Sequence, residues 1–173
     1  MTNLQIRSIF FALSFFCLCL FSCSTNIQPC SQPTEFPVHM HTSQVVGYDT
    51  NHIAIIRDTV MAKPVIGFVR NDTAYRYAFS SQTFSDFNMF LSTLSDSTSF
   101  FISPDSTNTT LGYDTLTFYY SRQRQFISNS CGFGYYFNIQ SIRTTHNFID
   151  SILIENTNVT NNASTQNLRL YIR

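Results

Sequence analysis

Period-two alternation of apolar and polar side chains, recurring along most of the chain beyond residue 34, is the feature that most narrows the fold. Phe36, Val38 and Met40 alternate with Pro37 and His39; Tyr75, Tyr77 and Phe79 repeat the pattern, as do Phe87, Met89 and Leu91. That spacing sends successive side chains to opposite faces of a pleated strand, so that one face can be buried. Further strands are expected over residues 53–57, 65–70, 100–103, 113–120, 125–128, 133–142, 148–155 and 168–172. Turn clusters such as Ser103-Pro104-Asp105-Ser106 and the polar stretch 156–167 separate them. Beyond the first residues no 3.6-residue period is sustained. Eight to ten short strands predict an all-β fold, a single antiparallel β-sandwich with Greek-key connections.

The N-terminus follows another logic. Arg7 precedes an apolar run over residues 9–21, broken only by Ser14. As a helix the run would span roughly 20 Å, short of a bilayer core of about 30 Å, and it reads as the apolar part of an export signal. Leu20-Phe21-Ser22-Cys23 resembles a lipobox, with a small residue before the cysteine, although Phe21 is bulky for the pattern. Cys17 and Cys19 follow Phe16 and Leu18 and fit less well. The resemblance implies cleavage before Cys23, a diacylglyceryl thioether on its sulfur and an N-acyl chain, which together hold a membrane more firmly than one chain. Ser24 is not an aspartate, so transfer to the outer membrane is expected, and no acidic run follows, which favours a periplasm-facing domain. The expected organisation is a lipoprotein signal peptide over 1–22, a lipidated tether over 23–34 and a β-sandwich over 35–173.

Charge excludes some partners. Ten basic residues balance ten acidic ones, and Lys63 is the only lysine, so neither nucleic acid nor an anionic lipid surface has an electrostatic footprint to meet. Eighteen Phe and nine Tyr supply the bulky volume a core needs. Once the signal peptide and Cys23 are set aside, Cys30 and Cys131 remain, and in an oxidising compartment an even pair reads as a disulfide. Two free thiols are the alternative.

Several residues together carry a family resemblance. They are Cys30 ahead of a proline-containing first strand, Tyr119-Tyr120, Ile127-Ser128 followed by Cys131-Gly132, the aromatic strand Phe133-Gly134-Tyr135-Tyr136-Phe137, Ile149-Asp150-Ser151-Ile152 and Asn167-Leu168-Arg169-Leu170. The chain is similar in these to small uncharacterised lipoproteins of Bacteroidota grouped as a domain of unknown function. That resemblance implies a lipidated β-sandwich and no particular activity. Seven of the eight aspartates precede Ser or Thr, and six of these resemble the O-glycosylation signal of Bacteroidota, with the hydroxyls of Thr59, Thr73, Ser97, Ser106, Thr115 and Ser151 as acceptors. Turn formation explains the same pairs equally well.

Candidate chemistry is sparse. His39 and His41 would project from one strand face and could begin a metal site, but no third or fourth ligand accompanies them. His146, Asp150 and Ser151 allow a small hydrolase, without any Gly-x-Ser-x-Gly elbow. A Cys131 nucleophile beside His146 would be lost on oxidation. The run Phe133–Phe137 is strand packing first, its outward residues a sugar- or protein-binding face second. The expectation is therefore a non-catalytic periplasmic binding or scaffolding module that needs no cofactor or metal. It would be tethered to the outer membrane and would engage a protein there, an integral β-barrel among the fits. A surface adhesin or filament subunit and a small periplasmic hydrolase are the alternatives.

Overall fold

The computed structural model describes residues 29–31, 34–70, 73–78, 84–108, 112–162 and 164–173, with the backbone alone for 69–70 and 73–78. The expected signal peptide, Cys23 and most of the tether lie outside the described residues. The chain divides into units 1–31 and 32–173, and every strand below belongs to the second.

Among the described residues eleven strands follow in order: β1 (Pro37–Tyr48), β2 (Ala54–Asp58), β3 (Val65–Arg70), β4 (Thr73–Ala78), β5 (Asp86–Phe90), β6 (Ser97–Ser103), β7 (Asp114–Ser128), β8 (Gly132–Thr144), β9 (Ile149–Ile154), β10 (Asn158–Val159) and β11 (Leu168–Ile172). One sheet runs β2-β1-β11-β9, with β5 also on β1; the other runs β10-β8-β7-β6-β3-β4. β1 is the hub of the first. Along one edge it pairs with β5 through Pro37–His41 and then with β2 through Ser43–Tyr48, while its other edge meets β11. The all-β sandwich expectation holds. The β1–β11 pair is parallel, however, so the sandwich is not antiparallel throughout.

Alternation builds the core as expected. Val38, Met40, Phe87, Met89, Ile149, Leu168 and Leu170 from the first sheet form one cluster with Phe100, Ile102, Leu116, Phe118, Tyr120, Phe137 and Ile139 from the second. Burying each such side chain contributes roughly 1.5–3 kcal/mol, which offsets the entropy of ordering so many strands. Tyr120 keeps its polar end satisfied, because its hydroxyl donates to Ser92 O at 2.9 Å and lies 2.7 Å from Thr98 Oγ1.

Two readings change. Residues 113–120 and 125–128 are one strand, β7; the polar Ser121–Arg124 between them pairs with Asn138–Tyr135 and continues the ladder. Polar side chains do not end a strand where they face solvent. Secondly, the polar stretch 156–167 contains β10. Asn167, 1% exposed, donates from Nδ2 to the carbonyls of Asn156 and Asn158 and accepts the His39 amide on Oδ1, tying this loop to β1. Cys30 and Cys131 are both disulfide-bonded, as expected of the pair.

Candidate functional site

Because Val38, Met40 and Thr42 take the inner face of β1, His39, His41 and Ser43 take the outer one. His41 Nδ1 lies 2.7 Å from Asp86 Oδ1, and Nε2 lies 2.9 Å from Asp58 Oδ1, an ion-pair distance reached off the ring N–H axis. Arg169 joins the cluster, with Nη1 3.4 Å from Asp58 Oδ1 and 3.0 Å from Ser43 Oγ, and Nε 2.8 Å from Glu155 Oε1. Burial alone would lower the His41 pKa, but Asp86 and Asp58 more than offset it and raise the pKa. Asp58 is held low first by His41, and Asp86 first by the Ser85 hydroxyl and then by His41. Each ring nitrogen of His41 already faces a carboxylate, and when the ring is protonated it offers no lone pair to a metal. Among the described residues no group of three or more His, Cys, Asp or Glu is arranged to hold one. The cluster reads instead as a clasp joining β5, β1, β2 and β11. Sequence reasoning found His41 and missed Asp58, Asp86, Arg169 and Glu155, which only strand pairing brings together.

A second polar centre is buried. Asp114 is fully buried; Oδ1 accepts the Asn147 amide (2.7 Å) and Thr145 hydroxyl (2.7 Å), and Oδ2 accepts the amides of Phe148 (2.9 Å) and Ile149 (2.7 Å). Burial pushes its pKa up, yet those four donors outweigh it and hold the carboxyl below its ordinary value. The hydrolase residues are engaged separately: His146 Nδ1 faces Ile149 O at 3.1 Å, and Asp150 faces Arg173 at 3.6 Å. Of the hydroxyls expected to carry glycan, Ser97 and Ser151 are exposed, and Thr59, Ser106 and Thr115 are half-buried. The Thr73 side chain lies outside the described residues. The aspartates beside the other five are committed: Asp58 and Asp96 to ion pairs, Asp105 to the Thr107 amide and hydroxyl, Asp114 and Asp150 as above.

The aromatic run sits on a long ribbon. β7 and β8 pair Arg122 with Phe137, Arg124 with Tyr135 and Phe126 with Phe133, so these six side chains share one face. Phe137 is in the core, whereas Phe126 and Phe133 are 50% and 51% exposed, edge to face at 5.5 Å. Arg124 lies 4.1 Å over the Phe133 ring. On the alternate face Phe36 meets Tyr136 edge-on at 5.2 Å, and a Cβ on Gly134 would come within 2.7 Å of Thr34 O.

Two mostly antiparallel sheets around one apolar core, with polar clasps outside and an aromatic ribbon, define an all-β sandwich domain. The chain belongs to the family of unknown function DUF6452, which matches residues 59–172, about two thirds of its length. The match starts after β2, so the hub strand with His39 and His41, and also Cys30, precede it. No curated protein matches the chain. No solved structure matches it either.

Proposed function

We propose that this chain is an exported lipoprotein of the Bacteroidota type, acylated on Cys23, held at the outer membrane and facing the periplasm. Its sandwich serves as a non-catalytic binding or scaffolding module for a protein partner there, an integral β-barrel among the fits. The observation that carries the reading is the β7–β8 ribbon. Exposed Phe and Arg side chains gather on one face of a long hairpin, a composition typical of interface anchors. The acidic and histidine side chains elsewhere are largely spent on structural contacts. In vivo photo-crosslinking from position 126, combined with palmitate labelling, tests it. A specific outer-membrane protein captured by the labelled chain is expected; absence of label, or capture from no position on the sandwich, would overturn it.

One observation favours the adhesin or filament reading as second. Val45, Val46, Tyr48, Ile53, Ile55, Ile56 and Val60 are exposed around the β1–β2 hairpin, and β2 is an edge strand. The Ile55–Ile56 part of this edge can pair with another copy, whereas Arg57, Asp58 and the bulge at Val45/Gly47 limit such pairing to that part. Self-association lost on Ile56→Lys, with protease-sensitive protein on intact cells, would replace the periplasmic reading with this one.

A further inference from the structure

Among the described residues the ribbon has one open side. β6 ends its pairing at Ser97↔Tyr119, the Tyr120 amide donates to Asp96 O at 3.0 Å, and Arg122 closes the corner on Thr93 O and Asp96. From residue 123 to 128, β7 has β8 on one side and, among the described residues, no strand on the other. Ladder groups alternate between the two sides of an antiparallel strand. Since Tyr120 directs its N–H toward the β6 side, Arg124 and Phe126 direct theirs to the same side, here the open one. Their side chains lie on the aromatic face. Backbone and side chains of the same two residues are therefore both available to one incoming chain.

The chemistry of that chain follows. Arg122, Arg169 and Arg173 each meet a carboxylate, whereas Arg124 meets none among the described residues. Stacking on Phe133 fixes its guanidinium and shields one face from water, leaving its planar donors set for a carboxylate. A cavity of about 570 Å³, lined by Tyr120, Arg122, Arg124, Tyr135, Gln140 and Asp96, whose carboxylate is paired with Arg122, adjoins it and has room for side chains. An open ladder edge supplies alternating donors and acceptors that another backbone satisfies in series. A second copy paired along this edge in the register centred on Arg124 would bring two guanidiniums together, which like-charge repulsion opposes. Resting on the binding-module reading above, we infer that the β7 edge at residues 123–128 docks an extended acidic peptide of the partner. The peptide adds as a strand, sets a carboxylate on Arg124 and lays apolar residues on Phe126 and Phe133.

Fluorescence polarisation with the full chain in detergent micelles tests this, using labelled heptapeptides in which Glu and Val take turns at every second position, on one face, with Thr between them. The Glu peptide should bind, the Gln version at least fivefold more weakly, and a peptide N-methylated at alternate amides not at all. Arg124→Gln should lower affinity for the Glu peptide at least fivefold and leave the Gln peptide unaffected, while Arg124→Lys, which keeps the charge but not the stacked planar fork, should recover only part of it. Equal binding of Glu and Gln peptides, tolerance of N-methylation, indifference to Arg124→Gln, or no binding up to millimolar peptide would each overturn the acidic-strand assignment. Self-association that competes with the peptide would overturn it in favour of a second copy. If the peptide arms fail while a cellular partner still crosslinks to the Arg124→Gln chain, the acidic strand falls and the binding-module reading stands.

Discussion

Replacing Asp114 with asparagine tests whether a buried carboxylate organises the 145–149 turn. The substitution preserves volume and one carbonyl oxygen. Asp114 receives four donors, three of them backbone amides, and its surroundings are closed to water. An asparagine must point its amide group at one pair of donors. Turned toward Phe148 and Ile149 it orphans two amides; turned the other way it orphans the Asn147 amide, while the Thr145 hydroxyl can rotate and accept. Each orphaned buried donor costs about 1–3 kcal/mol, and the charge assistance to the remaining bonds is lost as well. The expected destabilisation is about 2–4 kcal/mol, a large share of the roughly 5–15 kcal/mol typical of a domain. Its pH dependence has a definite sign. The folded pKa is depressed, so this stabilisation is complete above the unfolded value near 3.9 and is lost as pH falls through the folded one. Urea unfolding of the full chain, followed by circular dichroism at pH 7 and at several acid pH values, reads both effects. Asp114→Asn should lower the midpoint at pH 7 and flatten the acid limb. A loss under about 0.5 kcal/mol, with the acid limb unchanged, would refute the reasoning.

Other expectations follow from the same geometry. The His41 pKa is raised, so its stabilisation is complete below about 6.5 and fades as pH rises through the folded value; wild type should melt lower at pH 9 than at pH 6, and His41→Gln should lose that difference. Gly134→Ala would set a Cβ 2.7 Å from Thr34 O, which should cost about 1–3 kcal/mol in urea unfolding; no loss would show that the close approach yields freely. Reducing the disulfide should destabilise the chain by up to about 4.7 kcal/mol for a loop near 100 residues, and free thiols on both Cys30 and Cys131 after oxidising purification would contradict the bond. Cys23→Ser should abolish palmitate labelling, and persistent label would move the anchor to another cysteine.

Much of the fold was legible because burial imposes period two. Phe36, Val38 and Met40, then Phe87, Met89 and Leu91, show their inward faces in the sequence and are all buried in the structure. The unity of β7 was hidden, because Ser121–Arg124 is polar on both faces where the strand leaves the sandwich, and polarity there resembles a turn. β10 was hidden because its place depends on Asn167, which bonds two carbonyls in an otherwise featureless polar loop. His41 was visible as a histidine on a strand face, but not as a clasp. Its carboxylates come from residues 17 and 45 positions away, and no local pattern records that separation.

By itself the sequence determined the class: alternation made strands, Phe and Tyr filled a core, and Cys30 and Cys131 stood ready as a pair. Tertiary structure alone decided which strands became neighbours. It brought β11 alongside β1 in parallel, set Asp58 and Asp86 on His41, and let β7 outrun β6 so that Arg124 lies beyond the last β6 pair. Alternation is a local consequence of the pleat, whereas neighbourhood depends on chain connectivity and on how two sheets close over one core.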